Sequence, residues 1–377
     1  PYDSMSALFT CGTPVPRREE TEQFGEVEYL PGNQFDKDNI RDKDVLIVRT
    51  VTHFDEKILD GSSVKLICSA TIGYDHIDTQ YCDNHNIGWR TAPGCNANSV
   101  EQYVTASLLH LANKHNFDLS GKTIGIVGVG NVGSRVAAAC GKLGMRVLLN
   151  DPPRQEAEED KSIFVSLDTI MRESDIITLH TPLTKSGEHK TFHLADSDFF
   201  DSTARKPFVI NSCRGGVIDN EALVEAIEDG KVAGAVIDCW ENEPNINARL
   251  LELAEIATPH IAGYSADGKW TGTKMSLENI NDYFKLNIDP IRLMDIPQPE
   301  NSRVIDLKDI EESKQLQHAV WHTYNPVSDT EQLKTEPEKF YHFRSHYPLR
   351  REYYAYTVIN AAKETEKVLK ALGFQVG

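Results

Sequence analysis

Short runs of apolar, often β-branched residues recur along the chain with stretches of helical period between them. Residues 45–49 (VLIVR) and 64–70 (VKLICSA) read as buried strands on either side of a helix-compatible 54–59, which suggests a βαβ unit. The same alternation returns at 123–128, 146–150, 176–180, 208–211, 232–238 and 256–258, with helical segments at 132–143 and 221–228 among them. Continuous apolar strands separated by helices predict an α/β fold with a doubly wound parallel sheet. Residues 99–110 predict an amphipathic helix that bridges two domains, and the helical stretch 272–286 is placed to pack back against the N-terminal one.

The two ends of the chain read differently. Over 1–32, Pro14 and Pro16 break the pattern, and only 26–30 looks like a strand before the Pro31-Gly32 turn. Residues 289–299 (DPIRLMDIPQP) are proline-rich and predict a linker. Beyond it lie a strand-like 303–307, a helical 311–324, an aromatic and basic run at 340–356 and a last helix at 360–372. This tail predicts a small α+β domain, too short for a large core of its own and therefore expected to lean on a partner subunit. The expected domains are 1–92 with 264–288, then 93–263, then 289–377.

One stretch carries a chemical signature. Strand 123–128 runs into Gly128-Val129-Gly130-Asn131-Val132-Gly133, and the helix that follows places Val132, Val136, Ala139, Cys140 and Leu143 on one face. The first glycine permits a tight turn, the second lets a pyrophosphate approach the backbone, and the third lets helix and strand pack closely. The next strand ends in Asp151, at the spacing of an acid that accepts from a ribose 2′-hydroxyl, which favours NAD over NADP. Arg154 nearby keeps an NADP alternative in view, and a Rossmann-like domain that binds S-adenosylmethionine or nothing at all is the bland one.

Charge and cysteines exclude more than they add. With 57 acidic against 39 basic residues the net charge is -18, so nucleic acid and anionic membranes are expected to be repelled. A small anionic substrate then needs a local cluster of cations and backbone N–H groups. Seven scattered cysteines without a CxxC pair predict reduced thiols in a cytoplasmic compartment and suggest no zinc site. Neither a spanning segment nor a signal peptide is expected, although the chain opens on Pro1 and an upstream segment is therefore expected.

Three polar residues lie just beyond predicted strand ends, where ligands bind in open α/β sheets. They are Arg214 in NSCRGG, Glu243 in DCWENEP and His260 in TPHIAG. Oxidising an alcohol by hydride transfer needs a base for the hydroxyl proton, and histidine titrates in the useful range. A carboxylate against the imidazole fixes its tautomer, and an arginine pairs with a substrate carboxylate. Alone, each has an ordinary explanation as a capping, surface or core residue; their order and setting together do not.

Behind a GxGxxG loop, these motifs resemble those of the D-isomer-specific 2-hydroxyacid dehydrogenases over about 45–263. The likeness extends to 48–52 (VRTVT), 70–78 (ATIGYDHID), 92–97 (APGCNA), 151–153 (DPP), 180–183 (HTPL) and 260–264 (HIAGY). It implies a Rossmann NAD-binding domain, a second flavodoxin-like α/β domain that binds substrate as a lid, and a C-terminal α+β dimerisation domain. It further implies NAD-dependent oxidation of a small phosphorylated 2-hydroxy acid by a cytoplasmic homodimer without a metal. Arg214 and Glu243 match active-site residues and His260 the proton donor or acceptor; Thr50, Thr71 and Tyr264 match substrate-binding positions. Gly128, Gly130, Asn131, Val132, Gly133, Asp151, Thr181, Ser212, Cys213, Arg214, Asp238 and Gly263 match NAD contacts. Thr50 stands where serine is usual, Ile72 and Tyr74 are larger than usual, and 8–18 matches poorly, with the family's N-terminal strand expected to be absent. Phosphoglycerate or another D-2-hydroxy acid as substrate, or an NAD-sensing binding protein, are the competing readings.

A phosphorylated substrate needs cations, and the catalytic segments supply few beyond Arg49, Arg214 and Lys269. The tail has a basic stretch at 342–351. Arg350 or Arg351 is therefore expected to complete a phosphate site in a neighbouring subunit, the plainer expectation being that both pair with surface carboxylates.

Overall fold

The structure, a computed structural model, describes residues 6–11, 22–288 and 296–377, so most of the expected 289–299 linker lies outside the described residues. Its internal packing divides the chain into two compact units, Pro1–Asn96 with Ser265–Pro297 and Ala97–Tyr264 with Gln298–Gly377.

The first unit is built on a parallel sheet of β1 (Ser6–Cys11), β2 (Glu26–Pro31), β3 (Val45–Val48), β4 (Leu66–Ser69) and β5 (Gly88–Arg90), in the order β2-β1-β3-β4-β5. That order is the flavodoxin-like one. β1 corrects the sequence reading, which found no strand before residue 26. It lies inside the sheet, paired to β2 on one side and β3 on the other. The two prolines that spoil the pattern fall after the strand, and SALFTC is too short an apolar run to declare itself by period. Helix Ala266–Phe284 belongs to this unit. Its Gly272 allows close approach, since a Cβ there would stand 2.3 Å from the Ala70 carbonyl oxygen. Leu277 and Ile280 of that helix join Val45, Ile47, Leu66 and Cys68 in one core.

The second unit contains β6 (Thr123–Val127), β7 (Arg146–Asn150), β8 (Ile176–Leu179), β9 (Phe208–Asn211), β10 (Gly234–Ile237) and β11 (Ile256–Ala257). They form one parallel sheet in the order β11-β10-β9-β8-β6-β7. The chain runs outward from β6 to β7 and then returns to the other flank of β6, so the switch point lies between β6 and β8. Ligands in such sheets bind beyond the carboxyl ends of the strands at that point.

The tail forms a small parallel sheet of β12 (Val304–Asp306), β13 (Thr357–Ile359) and β14 (Gln375–Val376), and its core is continuous with that of the six-stranded sheet. Ile305, Val320, Tyr324, Tyr356 and Leu369 share one cluster with Tyr103, Val104, Leu108 and Leu111 of helix Ala97–His115. That helix is consequently buried on nearly every side, not on one face as its period suggests. Gln102 of this helix donates to Thr323 Oγ1 and to the Arg351 carbonyl, each at 3.0 Å. The tail therefore leans first on its own chain.

Candidate active site

At the end of β6 the chain turns through Gly128, whose φ of 88° is in the left-handed region that favours glycine. A Cβ at Gly133 would stand 1.9 Å from the Gly128 carbonyl oxygen, whereas a Cβ at Gly130 would meet nothing within 4 Å. The loop is thus tight where helix Asn131–Lys142 meets its strand and open at the middle glycine. Gly130 caps that helix without a side chain, so the amides of its first turn, Asn131 and Val132 included, face an anion's position. Beyond β7, Asp151 accepts from the Val129 amide at 2.7 Å and the Arg154 amide at 3.0 Å, which fixes its carboxylate beside the loop. Arg154 is itself engaged by Glu158 and by the Val129 carbonyl.

Three buried polar atoms line the neighbouring strand ends without a hydrogen-bond partner: His180 Nδ1, Thr181 Oγ1 and Ser212 Oγ. Burial pushes the His180 imidazole down to about 3, so the ring is neutral. Orphaned polar atoms are costly unless a ligand satisfies them, and here they fit a dinucleotide.

The motifs that carry Arg214, Glu243 and His260 sit on loops that brace one another. Asn211, at the end of β9, donates to the carbonyls of Arg214 (3.0 Å) and Cys239 (3.4 Å) and accepts from the Cys213 amide (3.1 Å). A Cβ at Gly215 would stand 1.9 Å from the Trp240 carbonyl oxygen, so only glycine lets the Arg214 loop pack there. Asp238, after β10, is fully buried; its carboxylate accepts from Thr258 Oγ1 and the Ile261 amide, both at 2.7 Å, and from the Ala262 amide at 3.0 Å. It thereby shapes the loop that carries His260, whose φ of 57° is strained for a side chain of that size.

Glu243 and His260 meet directly. The imidazole Nδ1 lies 2.8 Å from Glu243 Oε2 and 3.1 Å from Oε1, and Oε1 also accepts from the Trp240 amide at 2.8 Å. Burial alone would raise the Glu243 carboxyl, but His260, the Trp240 amide and Arg344 outweigh it and hold the group below the usual carboxylate range. An ionised carboxylate only accepts, so Nδ1 carries hydrogen toward it and Nε2 can accept a proton. Arg214 and Cys239 meet at one carbonyl, that of Cys213, to which Arg214 Nη1 donates at 2.8 Å and the Cys239 thiol at 3.4 Å. That thiol is close enough to complete a trio of ligand atoms within 4.8 Å with Glu243 and His260. Burial pushes it well above its ordinary value, and a protonated thiol is a poor metal ligand.

The remaining expected residues are distributed between the units. Thr50, exposed just after β3, and Thr71, whose hydroxyl donates to the Gly73 carbonyl at 3.0 Å, belong to the first unit. Gly263 and Tyr264 belong to the second, and Tyr264 accepts from Arg344 Nε at 3.2 Å.

Arg350 is engaged within its own chain. It is buried and donates to Ser99 Oγ (2.6 Å), the Ile261 carbonyl (3.2 Å) and the Ala262 carbonyl (2.6 Å), with its guanidinium 4.3 Å from the centre of the Tyr324 ring. Arg351 is buried too, so neither arginine lies on the surface as the plainer expectation had it. Sequence reasoning passed over Arg344, which lies far along the chain from the motifs, and over the bracing roles of Asn211 and Thr258, which stand inside NSCRGG and TPHIAG.

A family model described as the D-isomer specific 2-hydroxyacid dehydrogenase, NAD binding domain, matches residues 96–262, and one for a domain of unknown function matches 296–373. The erythronate-4-phosphate dehydrogenase of Bacteroides thetaiotaomicron is 51% identical over 89% of this chain and 93% of its own length. The chain belongs to that family. The erythronate-4-phosphate dehydrogenase of Porphyromonas gingivalis is 43% identical over 93% of this chain and 94% of its own. Among solved structures, the 3-phosphoglycerate dehydrogenase of Entamoeba histolytica, with NAD+ bound, shares the fold at a TM-score of 0.65 and 23% identity, covering 77% of this chain and 100% of that one. Among the described residues no helix is long and apolar enough to cross a membrane.

Proposed function

We propose that the protein oxidises 4-phospho-D-erythronate at C2 to (R)-3-hydroxy-2-oxo-4-phosphooxybutanoate with NAD as acceptor, a step toward pyridoxal 5′-phosphate. The observation that carries this reading is the Glu243–His260 contact at 2.8 Å, which leaves the imidazole Nε2 as the base. It is supported by the erythronate-4-phosphate dehydrogenases that match nearly the whole chain.

NAD, when bound, supplies the hydride acceptor. The open middle of the 128–133 loop, Gly128, Gly130, Asn131, Val132 and Gly133, receives its pyrophosphate, and Asp151 accepts from the ribose hydroxyl. Thr181, Ser212, Cys213, Arg214, Asp238 and Gly263 are the other proposed contacts, with Asp238 acting chiefly by fixing the loop after His260. His260 Nε2 takes the C2 hydroxyl proton while Glu243 stabilises the imidazolium that forms. Arg214 pairs with the substrate carboxylate and polarises the C2 oxygen, and Thr50, Thr71 and Tyr264 are the proposed substrate ligands.

The proposal includes a cytoplasmic homodimer joined through the tail. Val304, Tyr341 and Tyr354 of the tail are about half exposed, an apolar display that suits a subunit interface, and the described cysteines are thiols. Steady-state formation of NADH with 4-phospho-D-erythronate, D-erythronate and 3-phospho-D-glycerate tests the function. The phosphorylated C4 acid should give the highest kcat/KM; a higher value for either other acid refutes the substrate assignment.

A further inference from the structure

The tail of this chain brings a cation to the Glu243–His260 pair. Helix Phe340–Ser345 carries Arg344, whose Nη1 lies 3.6 Å from Glu243 Oε2, the same oxygen that His260 Nδ1 approaches at 2.8 Å. Its Nε donates to the Tyr264 hydroxyl at 3.2 Å, and its guanidinium carbon stands 6.0 Å from the centre of that ring. The arginine is mostly buried, with 20% of its side chain exposed against 18% for Glu243, so water screens the pair weakly. We propose that Arg344 is a positioning residue for the oxidation: it shares Glu243 with His260, orients Tyr264, and makes the tail part of the machinery of its own active site. The proposal rests on the oxidation described above and adds a residue to it.

The chemistry calls for such a counterweight. In oxidation the imidazole must be neutral when the alcohol binds, yet a buried carboxylate against it favours the proton. Within this unit His260 also feels the buried Asp238 carboxylate, while the Cys239 thiol beside it is uncharged. Against these anions, Arg344 is the tail's cation at Glu243, and Arg214 is the cation of the neighbouring loop. A guanidinium on Glu243 offsets part of the carboxylate's pull on the imidazolium without removing the hydrogen bond that orients the ring. It also keeps Glu243 ionised, in line with the direction of that group's shift.

The test compares wild type with Arg344→Gln, Arg344→Met and Arg344→Lys, using the full chain. Loss of the cation by Gln or Met should lower kcat roughly tenfold and move the acid limb of kcat/KM for oxidation to higher pH. Lys should restore the limb and much of kcat. Met keeps an apolar stem over Tyr264, so it carries the comparison if the Gln variant fails to fold. NMR titration of the His260 imidazole gives the same answer without turnover: its midpoint should rise in the Gln or Met variant. An unmoved midpoint, or a loss confined to the KM of the phosphorylated substrate, overturns the proposal, the latter by making Arg344 a phosphate ligand. Wild type that oxidises no 2-hydroxy acid refutes the function instead, and the NMR comparison still decides the role of Arg344.

Discussion

At the scale of single residues, the account stands on a base held by a carboxylate. Replacing His260 with Ala removes the only proposed acceptor for the hydroxyl proton and should cut kcat by roughly 10²-fold or more. Near-full turnover in that variant would mean that another group is the base. Asp151→Ala should raise the KM for NAD and narrow its advantage over NADP, since the carboxylate beside the loop repels a 2′-phosphate. A wild-type enzyme that prefers NADP would contradict this. The Glu243–His260 pair was legible because each member sits in a short motif after a strand end. Arg344 was not, because its tie to Glu243 spans the distance between tail and Rossmann fold. Arg350 shows the same limit: a basic run suggested a surface ligand for a neighbour, yet this arginine is buried and its Nη2 donates to Ser99, Ile261 and Ala262 of its own chain.

At the scale of elements, helix Ala97–His115 is the place where pH should be felt. Burial raises Glu101 from 4.5 to about 7, with the Thr105 hydroxyl, Lys142 and Arg135 opposing and Glu352 adding to the rise. The folded state therefore holds this proton over a range where the unfolded chain has lost it. Stability from this group is fully present below about pH 4.5 and falls by about 1.4 kcal/mol per pH unit as pH rises toward 7, then levels off. Glu101→Gln keeps an acceptor for Thr105 Oγ1 and removes the titration, so its thermal melts should lose that slope and lie above wild type at pH 8. Identical pH dependence in the two proteins would refute the assignment. The strands around the glycine loop were readable as apolar runs, and the structure reproduces them closely. β1 and the burial of this helix were not, because both depend on neighbours far away in the sequence.

For the whole molecule, a net charge of -18 means that an anionic substrate is drawn in by local cations against the average field. Turnover at low substrate should therefore respond to salt, and screening should raise kcat/KM if the average field dominates encounter. The tail closes the core of the NAD-binding fold and still displays Val304, Tyr341 and Tyr354 outward. Sedimentation should find a dimer that Tyr341→Asp with Tyr354→Asp weakens; a monomer in the wild type would remove the proposed interface. The central claim, that this chain transfers hydride from C2 of a phosphorylated 2-hydroxy acid to NAD, is tested most directly by isotope transfer. With 4-phospho-D-erythronate deuterated at C2, the NADH formed should carry one deuterium by mass spectrometry and its rate of formation should fall when chemistry limits. NADH without deuterium, or none at all, would contradict the account.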